Sequence, residues 1–216
     1  MKTGYILAGL GVLGAVVVLA GLHRFLALDK PLASARCLIV EGWLPPLELR
    51  QCAAIAIRDQ YELVIVAARK EALKADPSMT ILDRARAVLI ANGVAAEKIV
   101  LVGAPPTGNH RTFAAALAVR AWLKTLPATP SQANVVSGGA HARKTHAAYR
   151  RALAGMVELG SLSVRPDAYN PTWWFLSRIG VRYTLLDLVG YLYALCWPLP
   201  DDGSARPGST HYGAGP

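Results

Sequence analysis

Val135-Val136-Ser137-Gly138-Gly139-Ala140-His141-Ala142-Arg143-Lys144 runs from an apolar strand through a glycine pair into a helix whose first turn carries a histidine and two cations. Such a helix start presents unpaired backbone N–H groups and the positive end of its dipole, and glycines admit a ligand close to that backbone. The stretch predicts an anion cradle in which Ser137, Gly138, Gly139 and Arg143 hold the ligand. His141 is placed for acid–base work or, as imidazolium, for phosphate; a helix-start hydrogen bond is its plainer role. Arg143 and Lys144 point differently around the helix. Arginine is the better phosphate fork, and Lys144 is expected in solvent.

Outward from this stretch, short β-branched runs alternate with longer helical ones. Residues 37–40, 63–67, 99–102 and 134–137 read as buried strands, with a further strand at 161–164. Between them, residues 47–59 read as a helix. Thr80-Ile81-Leu82-Asp83 has the form of a capping box opening a helix that should stop near Asn92-Gly93, and Arg111 opens a third helix running to Leu126. Parallel neighbours need crossover helices, so the alternation predicts an α/β fold: a Rossmann-like three-layer sandwich on a mainly parallel sheet. Ligands of such sheets bind outside the carboxyl ends of the strands. Glu41-Gly42-Trp43, Ala68-Arg69, Gly103-Ala104-Pro105 and Ser137 to His141 should therefore share one edge.

Within that edge, Glu41 would stand in the crevice as a base or a ligand for a hydroxyl, with an ion pair to a site cation equally open to it. Gly42 and Trp43 follow it at the ligand. Arg111 suggests a further anion contact, and Thr112 either caps its helix or offers a hydroxyl. No Walker loop, G-x-G-x-x-G, G-x-S-x-G elbow or H-E-x-x-H occurs. Metal binding through Glu41, His110 and His141 is a weak alternative, because three separated residues of common type lack ligand spacing, and no metal is expected.

The chain of 216 residues is 53% hydrophobic yet carries a formal charge of +9. That balance points to anionic partners such as phosphates or membrane lipid. The cations are scattered and no nucleic-acid-binding signature is present, so nucleic acid is not expected. Residues 5–22 contain no charge and are long enough to cross a bilayer, and His23-Arg24-Phe25 follows directly, unlike a cleavage site. An uncleaved anchor is predicted there, after a flank at 1–4; its orientation is not fixed by the flanking charges. The remaining organisation is a linker at 23–35, a domain at 36–198 and a disordered tail at 199–216.

Cys37, Cys52 and Cys196 are an odd number without paired spacing, and read as small buried apolar residues. Cys37 begins its strand, at the edge opposite the proposed site, which argues against a Cys–His nucleophilic pair. Trp173-Trp174 leads into an apolar stretch from Tyr183 to Trp197, interrupted by Asp187 and Gly190. Arg182 as well as Asp187 interrupts the stretch, and Gly190 and Pro198 limit it, so a helix packed on the domain or lying at a membrane surface is the expectation there, rather than a second span.

Three segments together resemble the SanA/ElyC/YdcF-like family: Val40-Glu41-Gly42-Trp43-Leu44-Pro45, Arg111-Thr112-Phe113-Ala114-Ala115-Ala116-Leu117-Ala118, and Val136-Ser137 through His141-Ala142-Arg143. The Trp173-Trp174 and Gly180-Val181 region with its apolar helix also looks like one branch of that family. The resemblance covers roughly residues 36–198. It implies a Rossmann-like fold, commonly an N-terminal anchor in the bacterial inner membrane with the domain facing the periplasm or cell exterior, and roles in cell-envelope or surface-polysaccharide biogenesis. S-adenosylmethionine is a cofactor by resemblance only. Glu41-Gly42-Trp43 stands where many members have a glycine run, and Ala115 where many have Glu. The combined expectation is a membrane-anchored protein that binds a phosphorylated or nucleotide-like ligand, including a lipid-linked sugar phosphate. His141 and Glu41 would move any protons. A non-catalytic membrane scaffold that docks envelope-assembly partners is the alternative.

Overall fold

Every residue of the first strand is buried, the mark of a strand covered on both faces. The computed structural model describes residues 14, 19, 21–106 and 110–196. Five strands, β1 (Cys37–Glu41), β2 (Leu63–Arg69), β3 (Ile99–Ala104), β4 (Gln132–Gly138) and β5 (Glu158–Val164), alternate with five helices, α1 (Pro46–Arg58), α2 (Ile81–Ala91), α3 (Arg111–Leu123), α4 (His141–Ala152) and α5 (Arg178–Cys196). All strand pairs are parallel, in the order β3-β2-β1-β4-β5. The order reverses between β1 and β4, which opens a crevice at their carboxyl ends.

Local chemistry explains the boundaries. Pro46 occupies the first turn of α1, where its missing N–H costs nothing. Thr80 and Asp83 close the capping box of α2 in both directions, and Gly93 turns the chain away at φ +93°. Helices cover both faces of the sheet. Leu49, Cys52 and Ala53 of α1 and Leu82, Ala85 and Leu89 of α2 pack against Leu38, Val40, Val64 and Val66. On the other face Ala116, Val119 and Leu123 of α3 and Tyr149 and Ala152 of α4 pack against Ile39, Ile65 and Val135. Alternate residues of each strand thus serve opposite cores.

The anchor predicted over residues 5–22 lies outside the described residues except for Gly14, Leu19, Gly21 and Leu22, and so does the tail at 199–216. The linker at 23–35 is fastened to the sheet rather than spanning free space. Lys30 pairs antiparallel with Ser161 through both backbone hydrogen bonds, 2.8 and 3.0 Å. The Asn134 carboxamide brackets Leu32, accepting from its N–H at 2.8 Å and donating to its carbonyl at 3.0 Å. Together these cover part of the β5 edge.

The apolar stretch near the carboxyl end forms the 19-residue α5, long and apolar enough to cross a membrane by length and composition. Its Gly180, Thr184 and Asp187 are buried, three residues on one helical face, and this face packs against α4. The opposite face is exposed.

Candidate functional site

The carboxyl edge of β1 and β4, the starts of α3 and α4 and one face of α5 enclose a cleft of about 960 Å³. Glu41 ends β1 inside it, only 1% exposed. Its Oε2 accepts from the Ser137 hydroxyl of β4 and from Thr145 Oγ1 of α4 at 3.0 Å, so a buried charge is met by two hydroxyl donors. Ser137 therefore supports Glu41 rather than lining the cleft.

His141 is the first residue of α4 and projects into the cleft with an edge-on contact to the Trp43 indole, 4.9 Å between centroids. Its Nδ1 lies 2.6 Å from Asp187 Oδ1 of α5. A carboxylate there accepts Nδ1–H and leaves Nε2 pointing into the cleft. That nitrogen sits 3.5 Å from Thr112 Oγ1 and 3.9 Å from Glu41 Oε2. Thr112 makes no cap to α3, whose start is His110 in the left-handed region at φ 59° with no side-chain cap. Thr112 turns its hydroxyl to His141 at the cleft wall instead.

The two cations of α4 exchange the positions expected for them. Lys144 enters the cleft, 3.7 Å from Asp187 Oδ1. Arg143 turns out of it: its Nε donates to the Phe25 carbonyl and its guanidinium stacks 3.8 Å above the Phe25 ring. The cause is helical geometry, because His141, Lys144, Ala148 and Arg151 share the cleft-facing stripe at spacings of three, four and three residues while Arg143 lies two residues from His141. Arg111 reaches the cleft as expected, at its exposed mouth.

The anion cradle also has a different build from that expected. The Gly139 N–H donates to the Val164 carbonyl at 2.8 Å, and Gly139 adopts φ +45° to make the turn, so its backbone serves the strand–helix junction. Over Gly138 lies a carboxylate of the protein itself, since a Cβ on that glycine would stand 2.2 Å from Glu48 Oε2. Glu48 accepts from the Asp167 N–H at 3.3 Å, and burial pushes its carboxyl up to about 6, with the nearby Asp167 and Glu41 charges adding to the rise. Gly42 is likewise absent from the cleft wall: a Cβ there would meet Val66 Cγ1 at 3.0 Å, so its smallness serves packing against β2.

Arg69, joined to Glu71 at 2.5 Å, lines the cleft from the end of β2, where the strand-end argument puts it, whereas Arg151 and Tyr169 line it without a local sequence mark. Burial pushes the Tyr169 phenol up to about 12. Asp187 is the most consequential, and it did carry a signal: the one charged residue between Tyr183 and Trp197 needs a cationic or donor partner in so apolar a stretch. Cys37 sits buried at the amino end of β1 with its thiol pushed up to about 12 by burial, away from this chemistry. His110 stacks on Tyr193 at 5.2 Å, apart from Glu41, and among the described residues no three His, Cys, Asp or Glu side chains are grouped to hold a metal ion. No protein-family model, curated protein or solved structure matches the chain.

Proposed function

We propose that the chain is a membrane-anchored protein of the SanA/ElyC/YdcF-like kind that acts in bacterial cell-envelope or surface-polysaccharide biogenesis, single-pass in the inner membrane with its domain outside the cytoplasm. Its cleft binds a phosphorylated or nucleotide-like ligand, and His141 transfers a proton to or from it. One observation carries this reading: an imidazole held at 2.6 Å by Asp187 with its other nitrogen turned into a large cleft beside Glu41 and Thr112. A carboxylate that fixes one ring nitrogen and frees the other is the arrangement general acid–base catalysis uses.

The anion contacts of this reading are Arg111, Lys144 and His141 itself. Arg143, committed to Phe25, has no part in them. The fold-class resemblance supports the cellular role by analogy alone. In a thermal-shift screen of the full chain in detergent, nucleotides and sugar phosphates should raise the melting temperature of the wild type, because a ligand above its dissociation constant stabilises the folded state. His141→Ala and Lys144→Ala should lose that rise. Equal shifts in wild type and both variants would overturn the assignment of the site. S-adenosylmethionine belongs in the same screen.

A non-catalytic scaffold is favoured by one feature, the exposed apolar side chains of Trp173 and α5. It predicts a cellular phenotype that tolerates His141→Ala and is lost on substitution of Trp173.

A further inference from the structure

A helix that is apolar on all sides needs cover on all sides, and α5 has cover on one. Its inner face meets α4. Its outer face, Leu185, Leu186, Val189, Leu192 and Leu195, lies bare, with Val189 63% exposed. The question is what covers it, and the position of the chain leading in from residues 5–22 answers it.

That chain is pinned to α5 at both ends of the helix. Trp174, just ahead of α5, donates its indole N–H to the Leu19 carbonyl at 3.0 Å. Leu19 belongs to the last turn of the uncharged run. Near the other end of α5, the Tyr191 ring packs edge-on against Phe25, centroids 5.9 Å apart, and between them His23 Nε2 meets the Tyr169 hydroxyl at 3.1 Å. These contacts hold α5 beside the end of the run.

We infer that the outer face of α5 lies flat in the headgroup–acyl boundary of an anionic lipid bilayer, at the point where the anchor leaves it. The inference rests on the reading of residues 5–22 as a membrane anchor. The charges agree with it: Arg178 and Arg182 in the first two turns of α5, and Arg24 beside the run, are exposed cations at one end of that apolar face. Cations so placed can reach acidic headgroups. Orientation also fits, because Asp187 and Thr184 remain on the face turned to the protein. A consequence for the cleft follows. Tyr183, Leu186 and Tyr193 of α5 form part of its wall and are at the same time exposed, so the mouth opens at the lipid surface.

The test uses the full chain in vesicles of phosphatidylcholine with phosphatidylglycerol as the anionic component. In a Cys196→Ala background, with Cys37 and Cys52 buried, an environment-sensitive fluorophore is placed singly at Leu185→Cys, Val189→Cys, Leu192→Cys, Gly14→Cys and the exposed control Ile57→Cys of α1. Lipids with a quencher near the headgroup should quench all three α5 labels severalfold more than the Ile57 label, and all three alike. A quencher at the chain ends should reach the Gly14 label only. Labels on α5 quenched no more than Ile57 overturn the inference; if the Gly14 label is quenched at the same time, the anchor reading survives. A depth that increases steadily from Leu185 to Leu192 overturns it in favour of a spanning helix. Quenching of the α5 labels without the Gly14 label supports the surface contact and removes the anchor.

Discussion

Two helices wall the cleft, and they are built on opposite principles. Helix α4, His141 to Ala152, carries six cationic or imidazole side chains, His141, Arg143, Lys144, His146, Arg150 and Arg151, and buries Ala142, Thr145, Ala147, Ala148, Tyr149 and Ala152. Helix α5 is apolar nearly all round and buries only three residues. The polar helix is the one anchored in the core, and the apolar helix is the one that faces outward. Hydrophobicity alone therefore misplaces both; what places them is where their few exceptions go, Tyr149 into the core and Asp187 onto His141.

The largest break in that comparison is Tyr149→Ala. The ring is fully buried between α4 and the sheet, and its loss should cost about 4 kcal/mol, read from the urea midpoint at unchanged slope. Tyr149→Phe should cost little by comparison, since the hydroxyl has no hydrogen-bond partner among the described residues. A cost for Tyr149→Phe near that for Tyr149→Ala would show that the hydroxyl, and not the ring, holds α4.

Next in size is Asp187→Ala, which strips the partner from His141 Nδ1 and from Lys144. A loss of about 2 kcal/mol is expected, with Asp187→Asn recovering part of it because the amide oxygen still accepts from Nδ1–H. Full-chain urea unfolding reads both variants. Equal stability of Asp187→Ala and wild type would mean that α5 is held by its apolar contacts alone.

The third prediction concerns pH. Glu48 prefers its protonated form in the folded protein, so its contribution to stability is present below its ordinary value of 4.5 and is lost as the pH rises through about 6. Glu48→Gln should therefore match the wild type at acid pH and exceed it by up to about 2 kcal/mol at pH near 8, and the stability difference between the two should open across that window. A constant offset at all pH values would assign the effect to packing rather than ionisation. The smallest effect belongs to the outer face of α5. Val189→Ser should change folding stability in detergent by less than about 0.5 kcal/mol, because that side chain is already exposed.

Much of the sheet was legible because its signals are local. Apolar runs of four to seven residues with turns between them have one reading, and the Thr80–Asp83 box forms as its spacing says. The positions around the cleft were legible less evenly. Glu41, Trp43, Arg111, Thr112, Gly138 and His141 all reach it, since strand ends and helix starts follow from the alternation. Arg143 and Lys144 were misassigned because arginine's better phosphate fork was weighed above spacing: Lys144, three residues from His141, shares its helical face, and Arg143, two residues away, does not. The glycine pair looked like a bare cradle for the same kind of reason: Glu48 and the Val164 carbonyl arrive there from elements far along the chain. Asp187 meets His141 across 46 residues, a contact no local pattern encodes.

The strap at residues 28–32 gives the molecule a mechanical property. Leu28 accepts from the Ser161 hydroxyl at 2.9 Å, Lys30 exchanges two backbone hydrogen bonds with Ser161, and Leu32 exchanges two with Asn134. Tension arriving from the amino-terminal side meets the His23–Tyr169 and Phe25–Arg143 contacts first, and is then shared among five bonds, three on β5 and two on Asn134 of β4, before it reaches β1. The sheet is loaded in shear from that side, and β2 and β3, beyond β1, are the last part to feel a pull.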